Sequence, residues 1–404
     1  MVFITDLSEY VLLEIFKYCN DSDLENLYLT CTLFRNVIED RVYKIRARNL
    51  LLTGYGDGVR NIQNLIRTYQ NLSFKDRIMI SSNWINGRYK EYTYFHHRKF
   101  FASKIFLEFS NFYMSHGEFI RIYKRLKHEP LQRRYAIEIS SKVSKSDIAA
   151  FVKKGDSLFV IQTCGNCFLY ESGEILAEQR LHDVTEYLTC LDYDGKQHFI
   201  TSSEKTTKLW EKDVELGLVS FELIRNIDNY FKCLKFSDDG AKIYGGLYTD
   251  YGRKALREID VETGLIYSLN SKSLSIYDLK IKDEYTLLSA HFDTTFRLFD
   301  RRTNKDEHIW IDPYDSSIYC LEYDGLYGVL CGMKYHSRVN LYDIRMPKTF
   351  VQMYFALTKR SCGSPVYSIT CDSQYLFISR DNDLRVFDFS ASWAPSKDYT
   401  ICFN

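Results

Sequence analysis

Proline is scarce in this chain: 404 residues contain only 5 prolines, against 32 tyrosines and 27 phenylalanines. Aromatic side chains pack well on pleated surfaces and proline cannot donate to a strand ladder, so this balance favours β-sheet. No apolar run reaches the roughly 18 residues that a membrane helix needs. The opening residues, MVFITDLSEY, lack the basic-then-apolar profile of a secretory signal. By elimination, the sequence predicts a cytoplasmic or nuclear protein.

Net charge and catalytic motifs are also missing. Lys+Arg and Asp+Glu both number 53, so no overall basic field attracts nucleic acid or anionic lipid. The chain has no phosphate-binding glycine loop and no GxSxG segment. Its histidines lack companions at metal-ligand spacing. We therefore expect no intrinsic enzymatic activity, no cofactor and no metal.

The 11 cysteines are expected to be reduced thiols, because no signal sends the chain to an oxidising compartment. Cys190, Cys233 and Cys320 share one register in three similar strands, which predicts core packing of a small apolar side chain. Cys164 and Cys167 enclose Gly-Asn between two apolar runs. This spacing favours a hairpin tip over a metal or redox site.

Seven short segments repeat one pattern, in which alternating apolar residues end in a large apolar residue and then, usually, an acid. They are FIRIYK (119–124), NCFLYE (166–171), TTKLWE (206–211), KALREID (254–260), TTFRLFD (294–300), RVNLYD (338–343) and DLRVFD (383–388). The steps between their closing residues range from 40 to 49. A period of roughly 40–50 residues built from strands is typical of a β-propeller. The sequence therefore predicts an all-β seven-bladed propeller.

Closure of this ring requires one more outer strand for the last blade. Two segments could supply it, KEYTYF (90–95) from the N-terminal side and DYTICF (398–403) from the C-terminal side. The N-terminal choice clasps the ring and removes an exposed edge, so we favour it.

The first residues follow a helical pattern instead. One helix is predicted from about Ser8 to Cys19, a second from Ser22 with Glu25 completing a capping box, and a third after Thr32. About forty residues bury little apolar surface against themselves. Part of their apolar content is therefore expected to face another protein.

The run DLSEYVLLEIFKYCNDSDLENLYLTCTLFRNVIEDRVYKIR (6–46) resembles an F-box, the small all-α module that docks onto the Skp-type adaptor of cullin-based ubiquitin ligases. Ser8 stands where the family usually has Pro, and Phe34 replaces a common Trp. The resemblance implies adaptor-binding roles for Leu7, Val11, Leu12, Ile15, Phe16, Leu24, Leu27, Cys31, Phe34 and Val42.

Nearly the whole chain resembles the F-box/WD-repeat substrate receptors, and the segment SSNWINGRYKEYTYF (81–95) looks most like their dactylin branch. The implied organisation is an F-box at 1–46, a helical linker at 47–88 and a seven-bladed WD-repeat propeller at 89–404. The resemblance implies a non-catalytic subunit of a Skp–cullin–F-box (SCF) ubiquitin ligase. Its partners would be the adaptor, through it a cullin, and an unidentified substrate protein. The alternative is a WD-repeat scaffold outside any ligase.

In this family, peptides bind at the channel mouth of the propeller. Matching the repeats register by register implies substrate contacts by Lys232, Tyr277, Phe292, Tyr319, Tyr335, Tyr367 and Arg380. A phosphate needs several convergent cations, whereas most of these residues are aromatic. We therefore expect an apolar anchor for the substrate, with charge secondary. The alternative is that the tyrosines only cap the channel.

Overall fold

The computed structural model describes residues 3–56, 62–96, 102–250, 252–347, 349–356, 363–391 and 393. Short N-terminal helices precede seven four-stranded antiparallel sheets. The first strands of successive sheets are neighbours around a central channel. This confirms the predicted fold class, a helical region followed by a seven-bladed propeller.

The first two α-helices of the N-terminal region begin at polar caps. They are a short 3-10 turn at Ile4–Asp6, α1 at Glu9–Phe16, α2 at Asp21–Tyr28 and α3 at Thr32–Val37, which continues as a π-helical segment at Ile38–Tyr43 and as α4 at Lys44–Arg46. The Ser8 side chain caps α1 by accepting from the Val11 amide. The predicted cap of α2 was wrong, because the Asn20 side chain accepts from the Asp23 amide and starts the helix before Ser22. The amide oxygen of Asn20 fills the role assigned to the Ser22 hydroxyl.

Two further helices connect this region to the propeller. They are α5 at Gln63–Arg67 and α6 at Phe74–Ile85. A capping box between Ser73 and Asp76 starts α6. None of the helices in the described ranges combines the length and the apolar content needed to span a bilayer.

The strands of the first four blades run from the channel outward. Blade 1 contains β2 to β5 at Ile105–Leu107, Asn111–His116, Phe119–Lys124 and Ile137–Ser140; blade 2 contains β6 to β9 at Ile148–Lys154, Ser157–Gln162, Asn166–Glu171 and Glu174–Arg180; blade 3 contains β10 to β13 at Leu188–Tyr193, His198–Ser203, Thr207–Glu215 and Leu218–Ile227; blade 4 contains β14 to β17 at Phe231–Phe236, Lys242–Leu247, Leu256–Asp260 and Ile266–Ser268. Each repeat segment found in the sequence forms the third strand of its blade.

The remaining blades keep this order, except that the outer strand of blade 7 comes from before blade 1. Blade 5 contains β18 to β21 at Ile276–Ile281, Thr286–His291, Thr295–Asp300 and Lys305–Ile311; blade 6 contains β22 to β25 at Ile318–Tyr323, Gly328–Met333, Arg338–Asp343 and Phe350–Phe355; blade 7 contains β26 to β28 at Ser368–Cys371, Tyr375–Ser379 and Asp383–Asp388, with β1 at Lys90–His96.

Ring closure uses the N-terminal strand, as predicted. Strand β1 pairs antiparallel with β28, with Lys90 opposite Asp388. A buried ion pair between Arg125 of blade 1 and Asp372 of blade 7 joins the same two blades. The rival segment, residues 398–403, lies outside the described residues.

The predicted packing of three cysteines and the predicted turn at Cys164–Cys167 are confirmed. Cys190, Cys233 and Cys320 are buried, and each thiol approaches a backbone carbonyl of the next blade, with sulfur-to-oxygen distances of 3.3, 3.5 and 3.5 Å. These small side chains therefore pack where adjacent blades meet. The Cys164–Cys167 segment turns between β7 and β8, with Gly165 at φ 89°.

Candidate functional site: two protein-binding surfaces

Half of the predicted adaptor-binding residues form the interior of the helical region. The five are fully or almost fully buried: Leu12, Phe16, Leu24, Phe34 and Val42. Phe16 and Phe34 pack edge to face, with ring centroids 5.1 Å apart. Their packing holds the helices together, and the contact of these five residues with an adaptor stays a prediction.

The other five predicted residues lie at the surface of the same helices. Val11 and Ile15 are each 41% exposed, while Leu7, Leu27 and Cys31 are half-buried. Val11 and Ile15 are one helical turn apart on α1. Tyr18, which is 89% exposed, lies in the turn just after the helix ends at Phe16. We call Val11, Ile15 and Tyr18 the α1 face. These three side chains are apolar or aromatic, and the helices leave them exposed.

Helix α6 joins the helical region to the propeller. Phe74 and Ile78, in its first half, pack against the core of the N-terminal helices. Ile80 and Trp84, further along, belong to a core cluster shared with blades 6 and 7. The N-terminal helices are thus attached through α6, which leaves the α1 face free.

The linker is also hydrogen-bonded to the propeller along its length. The backbone N–H of Leu52 donates to the side-chain carboxylate of Asp324 at 3.1 Å. The backbone N–H of Asn64 donates to the backbone carbonyl of Asp324 at 3.2 Å. Arg67 forms a buried ion pair with Glu322 at the channel wall. These contacts show that the linker is docked on the propeller, a point that the sequence left open between a stiff connector and a loose strap.

The predicted aromatic residues meet at the mouth of the channel. The ring centroid of Tyr277 lies 5.0 Å from that of Tyr319 and 5.9 Å from that of Phe292. The ring centroids of Tyr319 and Tyr367 are 6.3 Å apart. Burial raises the pKa of Tyr277 to about 12. The Tyr367 hydroxyl donates to Asp381 at 2.8 Å, and burial together with this carboxylate raises the pKa of Tyr367. We call Tyr277, Phe292, Tyr319 and Tyr367 the aromatic arc, which spans three successive blades.

Cations lie beside this arc. The Lys334 ammonium is 5.6 Å from the Phe292 ring and 5.0 Å from the ring of Tyr335, which is half exposed. Lys232 lines the channel and lies 5.3 Å from the Tyr230 ring. Lys334 was missed by the sequence analysis, because it lies one position before the loop residue that the family register selects.

Arg380 does not join the mouth. Its side chain is 1% exposed and donates to Asp383 at 2.7 Å and to the Ser337 hydroxyl at 3.0 Å. Contact of Arg380 with substrate stays a prediction, and in this structure the side chain faces the interior of the propeller. Its donors are committed to partners inside the propeller, where a buried guanidinium requires them.

A hydrogen-bonded network inside blade 3 was also missed. The Trp210 indole donates to the Thr201 hydroxyl at 2.9 Å, and the same hydroxyl lies 2.8 Å from His182 Nε2. The other ring nitrogen of His182 lies 3.2 Å from Glu186. Burial lowers the pKa of His182. This network stabilises the blade. The sequence offered one signal that could have predicted it, a histidine upstream of a Ser/Thr-rich strand that is followed by a strand with a closing Trp.

Within the described ranges, no group of three or more His, Cys, Asp or Glu side chains is arranged to hold a metal ion. No family model matches the chain. The chain is 26% identical over 393 residues to F-box/WD repeat-containing protein 4 of Mus musculus, and 25% identical to the protein of that name from Homo sapiens. Each match covers 95% of this chain and 92% of the relative. The resemblance to F-box/WD-repeat proteins that the sequence suggested is confirmed.

Proposed function

We propose that this chain is the substrate-recognition subunit of an SCF ubiquitin ligase. The α1 face would bind a Skp-type adaptor, and through it a cullin, while the channel mouth would bind the target protein. Ubiquitin transfer would be carried out by partner proteins, and this chain would contribute proximity and orientation. It would itself catalyse no step.

One observation carries this proposal: the chain has two separate uncovered surfaces held at a fixed spacing. The N-terminal helices have a filled interior and still expose Val11, Ile15 and Tyr18. The aromatic arc lies at the channel mouth, on the propeller. The docked linker fixes one surface relative to the other. A receptor that presents a target to a separate enzyme needs this arrangement.

Replacing both Val11 and Ile15 by Asp tests the adaptor surface. Each change places an unpaired charge in an apolar contact, which costs several kcal/mol of binding free energy. We expect the full-length variant to lose capture of a purified Skp-type adaptor and cullin. The matched control is Val143→Asp, since Val143 is an exposed valine of the propeller, and this variant should bind normally. If wild-type chain captures no adaptor, the ligase role fails and the scaffold alternative stands.

The channel mouth is tested separately with Tyr319→Ala and Tyr367→Ala combined. Target proteins are identified by crosslinking to wild-type chain, and their recovery is compared between wild type and variant. We expect the variant to lose its targets and to keep the adaptor. The control is Tyr267→Ala on outer strand β17, where Tyr267 is half exposed. Unchanged recovery of targets would show that the tyrosines only cap the channel.

A further inference from the structure

The linker and blade 1 enclose a cavity of about 260 Å³, which we call the linker cavity. Its wall includes Tyr69 and Leu72 from the segment between α5 and α6, Arg77 from the first half of α6, and Phe109 from the turn between β2 and β3. It shares no lining residue with the channel of the propeller. The linker cavity is therefore separate from both surfaces described above.

Arg77 brings an unpaired positive charge to this cavity. Its side chain is half-buried, and its Nε atom is fully buried without a hydrogen-bond partner in the described ranges. Burial lowers the pKa of the guanidinium, and in the part of the chain that the structure describes no carboxylate pairs with it. Its guanidinium carbon lies 5.7 Å from the centre of the Phe74 ring.

The buried arginines nearby are different, because each has an acidic partner. Arg67 pairs with Glu322, and Arg125 pairs with Asp372. A guanidinium withdrawn from water needs such a partner to offset its desolvation. None of the described residues that line the linker cavity is acidic. The missing counter-charge of Arg77 therefore points to an anionic ligand.

Aromatic side chains form another part of the wall. The ring centroids of Tyr69 and Phe109 are 5.3 Å apart, and the Arg125 guanidinium lies 5.6 Å from the centre of the Tyr69 ring. Phe109 is 54% exposed, so an apolar ligand group that covers it would remove apolar surface from water. An apolar cavity of about 150 Å³ holds a benzene molecule. The larger linker cavity therefore has room for one ring with a short acidic side chain.

We propose that the linker cavity binds a small aromatic carboxylate. The carboxylate would accept paired hydrogen bonds from Arg77, whose planar guanidinium matches its geometry. The ring would pack against Tyr69, Leu72 and Phe109. A bound ligand would contact both α6 and blade 1, and would thereby strengthen the attachment of the linker to the propeller. The site stands independently of the ligase role, because neither the α1 face nor the aromatic arc contributes to it.

The test titrates full-length chain with benzoate, phenylacetate and 3-phenylpropionate, and with the primary amide of each acid. Saturation-transfer difference NMR at fixed ionic strength measures the dissociation constants. We expect at least one acid to bind saturably and its amide to bind at least about tenfold more weakly, because the amide keeps the ring and loses the charge. Equal binding of acid and amide would overturn the role of Arg77. Absence of saturable binding by all three acids would overturn the site.

Three variants locate the binding, with circular dichroism to check that each one folds. Arg77→Gln should weaken binding of the acid by about tenfold or more through loss of charge-assisted hydrogen bonds. Phe109→Ala should weaken binding of the acid by about threefold or more through loss of ring contact. The matched control is Arg88→Gln, because Arg88 is an exposed arginine just beyond α6, and it should have no effect. Unchanged binding by Arg77→Gln or by Phe109→Ala would contradict the proposal, as would equal weakening by Arg88→Gln.

Discussion

Trp84 should be the most costly single side chain to remove from the linker. It is fully buried and stacks on Phe389 with ring centroids 3.6 Å apart, while Tyr354 packs edge to face at 5.7 Å. Its indole nitrogen donates to the Ser373 carbonyl at 2.9 Å. These partners belong to blades 6 and 7, so Trp84 fastens α6, and with it the N-terminal helices, to the propeller.

The size of the effect follows from these contacts. Replacing a buried Trp by Ala costs about 3–5 kcal/mol through lost transfer free energy and the remaining cavity. The Ser373 carbonyl also loses its donor, which adds about 1 kcal/mol. We therefore expect Trp84→Ala to lower the free energy of unfolding by about 4–6 kcal/mol. Trp393→Ala is the matched control, because Trp393 is largely exposed and its removal should change the free energy by about 0.5 kcal/mol or less.

Urea denaturation followed by circular dichroism measures this difference, since it does not depend on the tryptophans themselves. Hydrogen exchange adds a local readout, because the amides of Leu52 and Asn64 donate to Asp324 across the same interface. Both amides should exchange faster in Trp84→Ala and remain protected in Trp393→Ala. A loss below about 1 kcal/mol with unchanged protection would refute the docked linker.

Three further changes test other parts of the structure. Arg125→Met should lower the free energy of unfolding by about 3–5 kcal/mol, because it leaves Asp372 buried without its partner. The control Lys17→Met breaks the exposed pair with Glu14 and should leave the free energy of unfolding nearly unchanged. His291 is fully buried and its pKa lies well below the ordinary 6.5, so the unfolded chain binds a proton that the folded chain does not. The free energy of unfolding should therefore fall as the pH drops below 6.5, by up to about 1.4 kcal/mol per pH unit for this group. Urea titrations at a series of pH values measure this dependence, and the free energy of unfolding of His291→Gln should change less steeply with pH than that of the wild type. Leu216 is 98% exposed and has a φ of 51°, and Gly217 follows it with a φ of 81°. Leu216→Asn should raise the free energy of unfolding by about 1 kcal/mol, because Asn tolerates this left-handed conformation. Urea titration measures the change, and the control Leu218→Asn on the adjoining strand should not stabilise the chain.

The propeller could be predicted because its signal repeats. The third strand of every blade contains a large apolar residue at the same place in the repeat, and one match supports the next. Ring closure by β1 also followed from a physical rule, the avoidance of an open edge. The start of α2 could not be predicted as firmly, since Asn20 and Ser22 are both good caps and only the packing of the helix decides between them.

The candidate surfaces were harder to predict, because a sequence pattern gives the position of a side chain and not its direction. Leu12 and Ile15 both match the family motif, yet Leu12 is buried and Ile15 is exposed. Arg380 matches a mouth position, but Asp383, three residues later, turns it inward. The docked linker was hidden for another reason: many of its contacts pair a side chain with a backbone group, which leaves no pattern in the sequence.

The pairing of β1 with β28 has a consequence for synthesis. On the ribosome, Lys90 emerges long before its partner Asp388, and at about 5–20 residues per second the roughly 290 residues between the two strands take about 15–60 s to make. Throughout that interval β1 has no strand to pair with, and the propeller ring remains open. A polypeptide that stops short of residue 383 cannot complete the seventh sheet. Only chains that include β28 can therefore close the ring, and a shorter product would expose strand edges to aggregation or to chaperones.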